Sequence, residues 1–248
     1  MAKIRLDKWI SSTGIASRKE VKLYAKQGRI TVNGTVVRSA EEKLDPETET
    51  VLLDGKAIVY QEFTYVMMHK PAGVLSATED KREKTVLDLL PPELQKQELF
   101  PVGRLDKDTE GLLLLTNDGA LAHELLSPRH HVDKVYLALT EGCVNQEDCA
   151  AFEAGMELGD GLKCMPAGLE ILEAGEESRV LVTLREGKFH QVKRMLAACG
   201  KPVKYLKRLS MGSLLLDEKL DKGTWRFLES SELEELKAVL GDKENSKK

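Results

Sequence analysis

Residues 103–119 read Gly-Arg-Leu-Asp-Lys-Asp-Thr-Glu-Gly-Leu-Leu-Leu-Leu-Thr-Asn-Asp-Gly. A knot of charge and glycine (Gly103, Arg104, Asp106, Lys107, Asp108, Glu110, Gly111) runs straight into four leucines. An apolar run that short predicts a strand buried on both faces. At least one of the charged residues before it therefore sits at the edge of the core, where a carboxylate needs a partner. Arg104 lies two residues from Asp106, a combination that suits a site better than a surface loop.

Outward from this stretch, the chain has 248 residues, 42% of them hydrophobic, enough to bury a real core in one or two domains. No apolar run is long enough to span a membrane, and Met-Ala-Lys-Ile-Arg at the start has no apolar signal region. The expectation is a cytoplasmic monomer. Cys143, Cys149, Cys164 and Cys199 show no paired short spacing, which favours free thiols over metal ligation.

The net charge of -4 averages over segments of opposite sign. Residues 1–38 hold nine Lys or Arg against two acids, and residues 181–210 hold eight against one, each a net of +7. Together these give +14 against a chain total of -4, which leaves -18 for the rest. Two basic patches on an otherwise acidic chain suggest a surface directed at a polyanion.

In the first patch, Leu6, Trp9 and Ile10 share one helical face. Ser17 and Glu20 form a capping box for a second helix, which Gly28 ends. Arg18, Lys22 and Lys26, each four apart, make a basic stripe on it. Arg29-Ile-Thr-Val, Asn33-Gly34 and Thr35-Val-Val then read as a hairpin with a type I′ turn. The acidic stretch 39–57 closes the module with further strands.

The remainder reads as mixed strands and helices. Strands are expected at Tyr65-Val-Met-Met, halted by Lys70-Pro71-Ala-Gly73, and at 112–116, Lys134–Thr140 and Val180–Leu184. On Lys134–Thr140, Tyr136 and Ala138 face away from Val135, Leu137 and Leu139. A helix is expected over Phe189–Cys199, stopped by Gly200 and Pro202. Another, capped by Ser231 and Glu234, carries Leu233, Leu236, Val239 and Leu240. The fold class is α+β, with a mostly antiparallel sheet. The domains are 1–58, a linker at 59–62, 63–240, and a frayed tail at 241–248.

No Gly-x-Gly-x-x-Gly follows a strand and no Gly-rich loop ends in Lys-Ser/Thr, which argues against a dinucleotide, adenosylmethionine or nucleotide cofactor. His130 and His131 are adjacent and read as structural or phosphate-facing, not as a metal site.

Residues 3–58 resemble the S4 RNA-binding domain through Arg5-Leu-Asp-Lys, Ser17-Arg18 and Gly28-Arg-Ile-Thr-Val-Asn-Gly34. The resemblance implies that Arg5, Lys8, Ser17, Arg18, Lys22, Lys26 and Arg29 lie near RNA phosphates. Such contacts anchor and orient without reading sequence. Three later segments resemble the pseudouridine synthases, in particular the RsuA type that modifies the small ribosomal subunit. They are Lys70-Pro-Ala-Gly73, Gly103–Gly119 and Glu186-Gly-Lys-Phe-His-Gln-Val-Lys-Arg-Met195. Ser127-Pro-Arg-His-His131 followed by Lys134-x-Tyr136 narrows the likeness toward the small-subunit type. Phe189 stands where a tyrosine is common.

The resemblance implies isomerisation of one uridine of 16S rRNA, at the position equivalent to uridine-516, in free RNA or an assembling small subunit. The N1–C1′ bond breaks, the uracil turns, and C5 rejoins the ribose. Nothing is oxidised and no group is imported, so no cofactor and no metal is expected. The reaction needs a carboxylate at the ribose and a base for the C5 proton. The resemblance assigns the carboxylate to Asp106, its ion-pair partner to Lys193, and stacking on the uracil with help in the proton step to Tyr136. It implies that Arg104 holds the opened RNA and that Lys70, Arg129, His190, Gln191 and Arg194 contact it. A target base inside folded RNA must be flipped out to reach such a site.

Each assignment has a plainer alternative. Asp106 can be a loop carboxylate paired with Arg104, since structural ion pairs also perturb pKa values. Asp108 and Glu110 read as solvated neighbours and Asp118 as a helix cap. Tyr136 can be half-buried core, and Lys193, off its helix's apolar stripe, can be exposed. The competing functions are a 23S rRNA enzyme of the same family and a noncatalytic RNA-binding assembly factor. An S4-bearing methyltransferase lacks its glycine-rich loop.

Overall fold

The computed structural model describes residues 3–60, 62–127 and 130–245, with side chains to residue 240. The chain forms two compact units: Met1–Tyr65 with Leu87–Phe100 and Thr116–Asp118, and Val66–Val86 with Pro101–Leu115 and Gly119–Lys248.

The first unit opens with strand β1 (Ile4–Arg5) and helices α1 (Leu6–Ser12) and α2 (Arg18–Lys26). Strands β2 (Ile30–Val32), β3 (Thr35–Val36), β4 (Lys43–Leu44), β5 (Val51–Leu53) and β6 (Lys56–Ile58) follow, and the short helix α3 (Pro92–Gln95) completes it. Both halves of the Ser17–Glu20 capping box are present. Asn33 and Gly34 have φ of 49° and 82°, as a type I′ turn requires, and β2 and β3 pair antiparallel across them. The four-stranded sheet runs β3-β2-β5-β6. Leu6, Trp9 and Ile10 meet Val21, Ala25 and Ile30 in one buried cluster, as the helical spacing predicts.

The second unit is built on a nine-stranded sheet. Its elements are β7 (Tyr65–Lys70), β8 (Phe100–Pro101), β9 (Glu110–Thr116), α4 (Gly119–Leu126), β10 (Lys134–Glu141) and α5 (Gln146–Ala154). After the small hairpin β11 (Met156–Glu157) and β12 (Lys163–Cys164) come β13 (Gly168–Glu173), β14 (Glu177–Leu184) and α6 (Gln191–Ala198). The unit ends with β15 (Val203–Met211), β16 (Leu214–Leu215), β17 (Trp225–Phe227) and α7 (Ser230–Asn245). The main strand order is β13-β14-β10-β15-β9-β7-β17. β10 pairs antiparallel with β14 and β15, while β9 runs parallel to β15. The sheet is thus largely antiparallel, as expected.

β9 is buried at every position from Glu110 to Thr116, so the doubly covered strand starts two residues before the leucines. Glu110 is accordingly not solvated. Its carboxylate accepts from the Tyr205 hydroxyl at 2.7 Å and pairs with Lys222 at 2.7 Å. Gly111 has φ of 108°, and a Cβ there would lie 2.2 Å from the Arg208 carbonyl oxygen. β9 can approach β15 only as glycine at this point. Gly111→Ala is expected to destabilise the protein at or beyond the upper end of the ordinary range of about 0.5–3 kcal/mol, measured by urea unfolding.

α6 begins at Gln191, not Phe189, because His190 adopts a left-handed conformation with φ of 50°. α7 starts at Ser230, and Glu232, not Glu234, accepts from the backbone N–H of Glu229. α7 continues to Asn245, through the stretch expected to fray from Gly241. A single internal glycine costs a helix only about 1 kcal/mol.

Candidate active site

A narrow cleft of about 70 Å³ in the second unit is lined by Arg104, Asp106, Thr109, Tyr136, His190 and Leu206, among others. Its floor is the buried face of β10 and β15. Alternation on β10 buries Lys134, Tyr136, Ala138 and Thr140, and Tyr136 stands opposite Arg208 across the strand pair. Leu184, Val192 and Leu206 of the lining belong to the same buried cluster as Tyr136, Val182 and Met195.

Asp106 sits at the rim, its side chain 24% exposed. Lys193 Nζ lies 3.0 Å from Asp106 Oδ2 and 2.5 Å from Asp108 Oδ1. His190 Nε2 lies 3.5 Å from Asp106 Oδ1. Burial works against the Lys193 ammonium, but the carboxylates of Asp108 and Asp106 outweigh it and raise its pKa. The ammonium in turn lowers the pKa of Asp108. Lys193 is therefore neither solvent-facing nor alone. Asp106 pairs with Lys193 and not with its sequence neighbour Arg104, which is exposed at the rim. The Phe189 ring, 71% exposed, stacks on the His190 imidazole at 3.7 Å.

The loop that carries Asp106 is fixed from behind. Lys70 is 0% exposed, and its ammonium donates to the carbonyls of Asp106 (3.1 Å), Lys107 (3.3 Å), Thr109 (2.9 Å) and Pro71 (3.0 Å). Gly73 N–H donates to Lys107 C=O, and Ser76 Oγ bonds both the N–H and the C=O of Leu105. The segment Lys70-Pro-Ala-Gly73 is thus a backbone clamp. The expectation that Lys70 contacts RNA is wrong, because an ammonium enclosed by four carbonyls has no face for a phosphate. Burial pushes its pKa down to about 8, against the pull of the Asp108, Asp106 and Glu110 carboxylates.

Gln191 is likewise structural. It is buried, accepts from Lys188 N–H and donates to Glu186 Oε1 at 2.7 Å, which closes the turn before α6. Arg194 is held by Asp160 at 2.5 Å. Arg129 lies outside the described residues. Sequence reasoning missed Ser76, Glu186, Thr109 and Arg208. Arg208, 2% exposed, donates from Nε to Leu112 C=O at 2.8 Å. Counted in the second basic segment, it is marked out for burial only by its place in the alternation Leu206-x-Arg208-x-Ser210.

In the first unit, Ser17 Oγ is occupied as the α2 cap. Arg5 pairs with Asp7 and Glu41, Arg18 with Glu98, Lys22 with Glu41 at 3.9 Å, and Arg29 with Asp54. Lys8, Lys19 and Lys26 are exposed and carry no ion pair among the described residues. Lys8 and Arg18 line one groove with Ser11, Ser12 and Lys96.

A family model described as RNA pseudouridylate synthase matches residues 64–198, and one described as the S4 domain matches residues 4–49. The chain belongs to the RNA pseudouridylate synthase family. An RNA pseudouridine synthase of Bacillus subtilis is 49% identical over 93% of this chain and 97% of its own length. Ribosomal small subunit pseudouridine synthase A of Vibrio cholerae is 40% identical over 93% of this chain and 98% of its own. The crystal structure of a pseudouridylate synthase superposes with a TM-score of 0.66 at 35% identity, covering 94% of this chain and 99% of that one. The protein is an RNA pseudouridine synthase with an N-terminal S4 domain, an isomerase.

Proposed function

We propose that this pseudouridine synthase converts one uridine of 16S rRNA, at the position equivalent to uridine-516, with Asp106 as the reacting carboxylate. The carrying observation is the ion pair of Asp106 with Lys193 at the rim of a cleft floored by Tyr136. The Lys193 ammonium, 3.0 Å away, holds the Asp106 carboxylate in place at the rim, where it can either attack the ribose or take a proton from it. The buried Tyr136 ring offers the detached uracil a face to stack on while it turns. The C5 proton leaves and N1 gains one, so the ring stays neutral overall. A cleft of about 70 Å³ is small beside the roughly 300–1,000 Å³ of sites that enclose whole ligands. The base enters it, and the ribose and phosphates stay at the rim beside Arg104 and His190.

The small-subunit target is supported by the Vibrio cholerae relative and by the segment around Ser127–His131. We place the enzyme in the cytoplasm as a monomer acting during ribosome assembly, with the domain boundary at residues 59–62. Purified protein is expected to release tritium from C5-labelled uridine in 16S but not 23S rRNA. Release from 23S rRNA alone overturns the target.

The S4 module anchors through phosphates. Lys8 and Lys26 are uncommitted cations, whereas Arg5 and Arg29 are already paired. Residues 87–100 belong to the same compact unit as the module, so point substitutions test this role better than removal of residues 1–58. The double variant Lys8→Ala, Lys26→Ala is expected to weaken RNA binding and to reduce the slope of log K against log salt. The reduction is about 0.7–0.9 per lost contact in filter-binding titrations. An unchanged slope contradicts the anchoring role.

A further inference from the structure

Thr109 is 1% exposed and lines the cleft beside Asp106 and Tyr136, yet its hydroxyl has no hydrogen-bond partner in the protein. Buried polar groups are nearly always paired, and an orphan needs a reason. The backbone of this residue is held in place. Its N–H donates to Asp106 C=O at 3.1 Å, and its C=O accepts from the enclosed Lys70 ammonium at 2.9 Å. The backbone is thus tied at both ends to the clamp that sets Asp106, and the hydroxyl is left buried and unpartnered beside the site.

The reaction supplies a matching partner. Uracil presents C2=O, N3–H and C4=O along one edge. Turning the detached ring about the N3–C6 axis exchanges N1 with C5 and, with them, C2=O with C4=O. A fixed donor that meets one carbonyl before the turn meets the other after it, so a single hydroxyl serves both ends of the rearrangement. We propose that Thr109 Oγ1 donates a hydrogen bond to a ring carbonyl of the flipped uracil, one before rotation and the other after. This rests on the reading of the Asp106 cleft as the uridine site.

The test uses the full-length protein and RNA carrying uridine, 2-thiouridine or 4-thiouridine at the target position, sulfur being the weaker acceptor. Thr109→Val keeps the shape and removes the hydroxyl. It is expected to slow single-turnover conversion of the uridine RNA about tenfold, the order of a lost hydrogen bond, with RNA affinity unchanged. Thr109→Ser is expected to restore the rate. The wild-type protein is expected to lose rate on at least one thio substrate, and the Val variant to lose little further on that same substrate, because both changes remove one contact. A wild-type rate for Thr109→Val, or penalties that simply multiply on both thio substrates, overturns the proposal. If Thr109→Val unfolds, Thr109→Ala, compared with Thr109→Ser, carries the same cycle. Asp106→Asn separates the two readings. If it is inactive while Thr109→Val is normal, only the hydrogen bond falls; if it is active, the assignment of the site falls.

Discussion

Asp106→Asn is expected to abolish pseudouridine formation and to leave RNA binding largely intact. Asparagine matches aspartate in shape but can neither attack the ribose nor accept its proton. Loss of a proton-transfer carboxylate alone removes about 10²–10⁴-fold in rate, and loss of a nucleophile removes more. The variant should still fold. Lys193 keeps its 2.5 Å pair with Asp108, so no cation is stranded. On the proposed function, RNA affinity rests on phosphate contacts elsewhere, in the S4 module and at the cleft rim. The checks are a tritium-release assay beside a binding titration and a melting curve. A folded variant that still converts uridine contradicts the assignment.

Lys70→Met carries the second large effect, on stability and activity together. The ammonium is fully buried and satisfies four carbonyls, three of them in residues 106–109. Methionine fills similar space but donates nothing; the Asp106 and Lys107 carbonyls keep their bonds from Thr109 and Gly73 N–H, while those of Thr109 and Pro71 lose the ammonium, and a carbonyl left unpaired costs about 1–3 kcal/mol. A net destabilisation of about 1–3 kcal/mol is expected, the lost carbonyl partners being partly offset by the desolvation cost of the ammonium that methionine removes. The folded fraction should convert uridine slowly, because the backbone under Asp106 is no longer clamped. The pH dependence separates this charge from packing. Burial holds Lys70 near about 8 in the folded protein against 10.5 when free. Between those values the unfolded chain binds one more proton, so the folded state gains stability as pH rises. Below about pH 8 both states are protonated and the cost of burying the charge is present in full. Wild-type stability measured by urea unfolding should therefore rise relative to Lys70→Met across this window. Parallel pH profiles for the two proteins contradict the buried charge.

Where local pattern sets structure, the sequence was enough. The capping box at Ser17, the Asn33-Gly34 turn, the alternation on β10 and the buried leucine strand all follow from spacing and backbone chemistry. The Asp106–Lys193 pair is legible only through family resemblance, because nothing local links residues 87 positions apart. The errors share one cause. Glu110 is a charged residue that its charged neighbours place in solvent, and Lys70 and Gln191 are residues that the family resemblance places toward RNA. Each is buried because distant segments supply partners: carbonyls of the Asp106 loop for Lys70, Tyr205 and Lys222 for Glu110, Glu186 and Lys188 for Gln191. Thr109 is the opposite case, a small polar residue whose unusual feature is the missing partner, which appears only once burial is known.

The most direct test of the central claim is a map of pseudouridine across 16S and 23S rRNA in a strain lacking this protein. The strain is complemented in parallel with the wild-type chain and with Asp106→Asn. One 16S pseudouridine should be lost, returned by the wild-type chain and not by the variant. A 16S map that does not change, or a lost site that Asp106→Asn restores, would contradict the account.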